Sequence, residues 1–147
     1  MAMKTVYLHE NNAAYRRVSP GWKETYADEH YAEGQGFHIF RYLDKNILIG
    51  ICGDLWFDKN KESIRELSPD VIFWPVYTDF SPEKWNASIK YDYARQVKNM
   101  PGDILYVNSV CLDQGSDLAK GGAVWFSSGE ILCEVPAGEE RELSVDL

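Results

Sequence analysis

The stretch Asn46-Ile-Leu-Ile-Gly-Ile-Cys-Gly-Asp-Leu-Trp-Phe57, continued by Asp58-Lys-Asn-Lys-Glu-Ser-Ile-Arg-Glu-Leu67, decides how this chain folds. Its apolar first part reads as a buried strand, and the polar part after it reads as a helix capped by Asp58 and ended by Ser68-Pro69. Cys52 therefore stands where a strand ends and a turn climbs into a helix. A thiol placed there faces solvent at the edge of a sheet, close to backbone N–H groups that favour an anion. Folds of this type present a nucleophile in that way. The alternative for Cys52 is a plain core position, since a free cysteine also behaves as a small apolar residue.

Working outward, Phe37-His-Ile-Phe-Arg-Tyr-Leu43 and the run ending at Cys52 flank Asp44-Lys45 and read as an antiparallel hairpin. Upstream, Thr5–Leu8 reads as a short strand, followed by an Asn11-Asn12 turn and the segment Ala13–Val18. A polar, acid-rich loop then runs from Ser19-Pro-Gly21 to Gly36, long enough to carry functional groups. Downstream, Val71-Ile-Phe-Trp-Pro75 is a buried strand whose end Pro75 marks. Ser81-Pro82-Glu83 starts a helix, in which Trp85, Ile89, Tyr93 and Val97 form the inward stripe, and Pro101-Gly102 stops it. The remaining strands are Asp103–Asn108, Ala123–Ser127, Glu130–Val135 and Glu142–Leu147, with Ser128-Gly129 as a hairpin turn. Helices that alternate with strands, before an antiparallel end, give an α/β fold with a mixed sheet.

The chain has 147 residues, 45% of them hydrophobic, which suits one domain with a real core. Fifteen basic side chains face 23 acidic ones, for a net charge of -8 and a pI near 4.8. So acidic a surface excludes non-specific binding of nucleic acid, because nothing offsets phosphate repulsion. Three widely spaced cysteines make neither a disulfide scaffold nor a metal-ligand pair, and a reducing cytoplasm is the expected compartment. His9, His30 and His38 have no metal-ligand spacing either, and Cys111 and Cys133 read as buried structural thiols. The N-terminus carries no secretory signature and no segment is long and apolar enough to cross a bilayer, so no membrane association is expected. The 14% aromatic content fits a packed core or a ring-lined pocket equally.

Four segments, in order, resemble the nitrilase superfamily of carbon–nitrogen hydrolases. Tyr15-Arg16-Arg17 looks like that family's Tyr-Arg-Lys segment, and Cys52-Gly-Asp54-Leu-Trp-Phe57 is similar to its Cys-x-Asp-x-x-Phe nucleophile block. Val71-Ile-Phe-Trp-Pro75 resembles the strand after the nucleophile helix. Tyr106-Val-Asn108, Gly121-Gly122-Ala123 and Ser128-Gly129-Glu130-Ile-Leu132 resemble the family's Val-Asn, Gly-Gly-Ser and Pro-x-Gly-x-Ile-Leu succession. The order and spacing of these blocks, rather than any one of them, carry the resemblance, which extends from Tyr15 to Leu147.

That resemblance implies a sandwich of the αββα type lacking its N-terminal strands and a single partial domain over residues 1–147, with the bare sheet faces covered by self-association into a homo-oligomer, by strand exchange or by an extra polypeptide that supplies the missing part. It implies hydrolysis of a small amide, carbamoyl compound or nitrile through a thioester, with no cofactor. Cys52 takes the place of the nucleophile and the Gly53 N–H that of an oxyanion donor, while Trp56 and Tyr77 take places around the substrate. Arg17 stands where the family has lysine, and a guanidinium is a wider, planar cation. Lys23, further along the loop, is the other candidate for that role. The family's general-base glutamate belongs upstream of the tyrosine-basic segment, outside this chain, and Glu29 is the better fit than Glu24 for its supporting glutamate. Asp54 fits a turn-fixing role, accepting from backbone N–H groups. A different class stays open: a non-catalytic relic of the fold serving as a binding or interaction module. An unrelated flavodoxin-like domain is set aside, because no phosphate-cradling glycine loop follows the first strand.

Overall fold

The computed structural model describes residues 5–8, 13–20, 32–111 and 118–147. Strands β1 (Thr5–Leu8) and β2 (Ala13–Arg16) form an antiparallel ribbon. The main sheet has six strands in sequence order: β3 (Ile39–Tyr42), β4 (Lys45–Ile49), β5 (Val71–Val76), β6 (Asp103–Asn108), β7 (Ala123–Ser127) and β8 (Glu130–Val135). Its centre, β4-β5-β6, is parallel, and both flanks are antiparallel hairpins. The mixed α/β sheet is thus the one the sequence leads us to expect.

Two crossovers connect the parallel strands. A 3-10 turn (Cys52–Trp56) and α1 (Asp58–Leu67) link β4 to β5; α2 (Pro82–Lys84), a π turn (Trp85–Ile89) and α3 (Lys90–Val97) link β5 to β6. Because the strands are laid down in one direction and such crossovers are right-handed, both helical segments fall on the same face. The register identifies that face: Leu48, Ile72, Ile104, Phe126 and Ile131 form one cross-strand row, and Trp74, Tyr106 and Val124 the next. These residues and Leu55, Ile64, Trp85, Tyr93 and Val97 from the crossovers make the core. Glu134 continues the second row into this apolar layer, where Lys90 Nζ meets it at 2.5 Å.

Rows on the opposite face are also apolar. Ile49, Phe73, Leu105, Trp125 and Cys133 lie side by side, followed by Pro75, Val107, Ala123 and Val135. Tyr15 of the ribbon packs on Ile49 and Ile51 at one end. Farther along, Phe73 is 36% and Val107 50% exposed.

Local details correct several expectations. Phe57, extended, is the N-cap of α1; Asp58 is its first helical residue and pairs with Lys61 at 2.8 Å instead of capping. Pro75 does not end β5, which runs on to Val76. Beyond Phe73 the pairing with β4 has ceased, so a missing N–H there breaks no ladder on that side. Glu142–Leu147 forms no strand. Cys111 and Cys133 are half-buried rather than buried, because each lies on the side of the sheet away from the helices or beyond its end. The four-residue repeat of Trp85, Ile89, Tyr93 and Val97 exceeds the α-helical period, and the π turn takes up the difference.

Candidate functional site

Parallel strands end along one edge, and in α/β sheets that edge is where ligands bind. Here it brings together the Cys52 turn after β4, Tyr77 after β5 and Cys111 beyond β6. Asn108 and Thr78 lock the ends of β5 and β6 by two reciprocal hydrogen bonds of 3.0 Å, Thr78 N to Asn108 Oδ1 and Asn108 Nδ2 to Thr78 O.

Strand β4 stops at Ile49, and Cys52 opens the 3-10 turn with φ +52°, the left-handed region. For a residue with a Cβ that conformation costs roughly 1–2 kcal/mol, so the surroundings must hold it. Trp74 Nε1 donates to the Cys52 carbonyl at 2.7 Å. Asp54 closes the turn on itself, its N–H reaching Ile51 O at 3.1 Å and its Oδ2 accepting from Ile51 N at 2.9 Å. Cys52 is half-buried and reduced, with its side chain against the cluster of Tyr15, Ile49 and Ile51.

Asp54, fully buried, is the hub of the site. Besides Ile51 it accepts from Val18 N at 3.0 Å, Ser19 N at 2.6 Å and the Tyr15 hydroxyl at 3.3 Å. It therefore fixes the turn as its position suggests, and also ties that turn to the segment after β2. Burial pushes its carboxyl above the ordinary value, while the donors from Ser19, Ile51 and Val18 pull the other way. Tyr15 is raised strongly, first by burial and then by the Asp54 charge.

This junction delivers Arg17 to the Cys52–Trp56 turn. Its Nε donates to Ser19 Oγ at 2.7 Å and its Nη2 to Pro20 O at 3.2 Å. The guanidinium lies so close to Gly53 that a Cβ built there would meet Nη2 at 2.3 Å. Cys52, Gly53 and Arg17 are thus brought together. Glu29, with Lys23 and Glu24, lies outside the described residues.

Trp56 is the last residue of the turn, and Tyr77 follows β5 at the same edge of the sheet. Trp56 is 42% exposed and meets Tyr93 edge-on, with ring centroids 4.9 Å apart. The Tyr77 hydroxyl accepts from Cys111 Sγ at 3.6 Å, a contact that raises the phenol above its ordinary value. Trp74 is wholly buried in the core, as its position in β5 suggests. Sequence reasoning overlooks further residues of this region. Tyr93 and Tyr106 are raised chiefly by burial, with Cys52 contributing to each. Ser19, the support of Arg17, is the third such residue; its only sequence signal is its place two residues past the basic pair. A cleft of about 600 Å³ between α1 and the segments around Ser19 and Gly36 includes none of Cys52, Arg17, Gly53, Trp56 or Tyr77.

No family model matches the chain, nor does any curated relative. Solved structures do resemble it. The glutamine-dependent NAD+ synthetase from Acinetobacter baumannii matches over 88% of this chain and 24% of its own, at 19% identity and a TM-score of 0.66. An amidase from Nesterenkonia sp. AN1 matches over 85% of this chain and 48% of its own, at 19% identity and a TM-score of 0.63. A cysteine-to-alanine variant of that amidase, assigned to the nitrilase superfamily, matches at 18% identity over 85% and 46%, with a TM-score of 0.63. The chain spans between 24% and 48% of the length of these proteins. Identities this low speak for fold alone, and the fold of this chain is that of the nitrilase-superfamily amidases.

Proposed function

We propose that the chain is a partial carbon–nitrogen hydrolase domain acting on a small amide, carbamoyl compound or nitrile, with Cys52 as nucleophile. The supporting observation is the left-handed Cys52, half-buried at the carboxyl edge of the parallel strands, with a guanidinium against the next residue. For an amide, the Cys52 thiolate forms a C–S bond to the carbonyl carbon. The Gly53 N–H and Arg17 receive the developing oxyanion. The C–N bond then breaks, the amine leaves with the proton that the Cys52 thiol gave up on ionising, and a thioester remains. Water adds to that carbonyl, the C–S bond breaks, and acid and thiol are released. Glu29 is assigned the supporting carboxylate, and Trp56 and Tyr77 the flanks of the substrate.

In a glutamate-to-glutamine variant of the Nesterenkonia amidase the active-site cysteine adds acrylamide, and it also takes up the acetamide moiety of fluoroacetamide. Fluoroacetamide should likewise mark Cys52 here, with Cys111 and Cys133 as internal references in the same digest. Peptide mass spectrometry should find Cys52 modified about tenfold faster, the gain expected of an activated over an ordinary thiol. Equal rates at all three would instead favour the non-catalytic module.

We also propose that a second copy of the chain packs on the far face of the sheet, along Phe73, Leu105, Val107 and Trp125. Parallel strands are normally covered on both faces, and here the helices cover one. Sedimentation should show a dimer or larger species that Val107→Lys, at a 50% exposed position, shifts to monomer. A folded wild-type monomer at micromolar concentration would refute it.

A further inference from the structure

We propose that Ser19 is a positioning residue, whose hydroxyl docks the Arg17 guanidinium against Gly53 so that the cation lies beside the Cys52 sulfur. The proposal rests on Cys52 being a nucleophile and names what aims its cation. Ser19 is 1% exposed, although it lies in a polar segment before a proline. Its N–H donates to Asp54 Oδ1 at 2.6 Å. A serine hydroxyl carries two acceptor lone pairs that a donor can take. Arg17 Nε occupies one at 2.7 Å.

Asp54 thus holds Ser19 by its backbone N–H, and the Ser19 hydroxyl holds Arg17 through a charge-assisted hydrogen bond. It also sets the direction of the guanidinium. With Nε held by Ser19 and Nη2 by Pro20 O, the planar group cannot turn without breaking both bonds, and its Nη2 edge faces Gly53. Ser19 Oγ itself lies 3.3 Å from where a Gly53 Cβ would stand, so hydroxyl and guanidinium share the notch beside the thiol turn. Cys52 packs against the cluster of Tyr15, Ile49 and Ile51, and Asp54 is turned toward Tyr15, Val18 and Ser19. Arg17 is thus the cation of this constellation among the described residues.

A cation beside a thiolate favours an anionic alkylating agent over a neutral one, whatever fraction of the thiol is ionised. The test is the ratio of iodoacetate to iodoacetamide rates at Cys52 in the full chain, read by mass spectrometry, with Cys111 and Cys133 as references. The wild-type ratio at Cys52 should exceed theirs by about fivefold, which corresponds to the ~1 kcal/mol of a charge pair at about 4 Å in water. In Ser19→Ala it should fall to theirs, and Ser19→Thr, which keeps the hydroxyl, should restore it. A purely structural role for Ser19 would slow or speed both reagents together. An unchanged ratio in Ser19→Ala, or a loss that Ser19→Thr does not restore, overturns the proposal. Should the alanine variant not fold, the Arg17 Nε–H resonance of the wild type decides: protection from solvent exchange supports the dock, and free exchange overturns it. The hydrolase reading fails separately, if Cys52 reacts with neutral reagents no faster than Cys111 and Cys133.

Discussion

Asp54→Ala should unfold the Cys52–Trp56 turn and cost the chain on the order of 4 kcal/mol, the largest stability loss of any substitution at this site. Four donors converge on this carboxylate: Ile51 N, Val18 N, Ser19 N and the Tyr15 hydroxyl. Alanine leaves them facing a void, and each buried donor left unpaired costs about 1–3 kcal/mol. Val18 is only half-buried and recovers part of that from water. Asp54→Asn should cost less, about 1–3 kcal/mol. Its carbonyl oxygen still serves Val18 and Ser19, and the Tyr15 hydroxyl is free to turn and accept from the new amide. Only Ile51 N then loses its acceptor.

The pH dependence of that pair carries a sign that can be checked. Burial raises the Asp54 carboxyl in the folded chain, so the native state holds its proton more firmly than the unfolded state does. Its contribution to stability is therefore greatest below the ordinary carboxylate value, declines as pH rises through the raised one, and is flat above it. The asparagine variant lacks this titration. Urea melts of the two proteins should show the wild-type advantage widening as pH falls through that window. A cost of Asp54→Ala below 1 kcal/mol would mean that the four donors find other acceptors, and the hub would not be one.

Much of this was legible from residue order. Strands β5 to β8 and α1 fall where the apolar runs, Pro69, Pro101 and the Ser128-Gly129 pair place them, because each is bounded by a residue whose backbone preferences interrupt the pattern. Both Ser128 and Gly129 adopt positive φ (51° and 82°), as a two-residue hairpin turn demands. The C-terminal alternation Glu142-Leu-Ser-Val-Asp-Leu147 misled for an instructive reason. Alternation expresses a preference for a half-buried pleated surface, but a strand exists only where a neighbour offers a ladder, and among the described residues this segment has none.

The site divides differently. The turn that holds Cys52 and Asp54 was legible because it is a local object, set within Ile51 and the five residues after it. The approach of Arg17 to Gly53 spans 36 positions, and no periodicity reports such a contact. Ser19 was invisible for a related cause: a serine before a proline in a polar loop looks like a solvated turn. Its burial arises only when the segment after β2 folds down on Asp54. Residues that support a functional group through the backbone of a distant segment leave no local signature.

Gly53→Ala should then have the largest effect on reactivity, and its logic is steric rather than conformational. Gly53 does not occupy the left-handed region, so alanine imposes no backbone strain, and the N–H assigned to the oxyanion is retained. What the new methyl meets is Arg17 Nη2 at 2.3 Å, with Ser19 Oγ at 3.3 Å behind it. The guanidinium is the far end of a flexible side chain and yields at little cost, so the melting temperature should move by no more than about 5 °C, the shift that ~1 kcal/mol produces in a domain of this size. The cation, however, leaves the thiol. Alkylation of Cys52 by iodoacetate should slow about fivefold relative to iodoacetamide, as ~1 kcal/mol of lost charge attraction requires. Turnover of any amide that the wild type hydrolyses should drop by roughly 100-fold, the toll of losing one oxyanion partner. Replacing Arg17 as well, with methionine, separates the two meanings of such a loss. If the guanidinium is what the methyl displaces, Gly53→Ala adds nothing once Arg17 is gone. Should the alanine slow the reaction just as much in the Arg17→Met background, the methyl would be acting on the thiol or the substrate directly, and Arg17 would have no part in the chemistry.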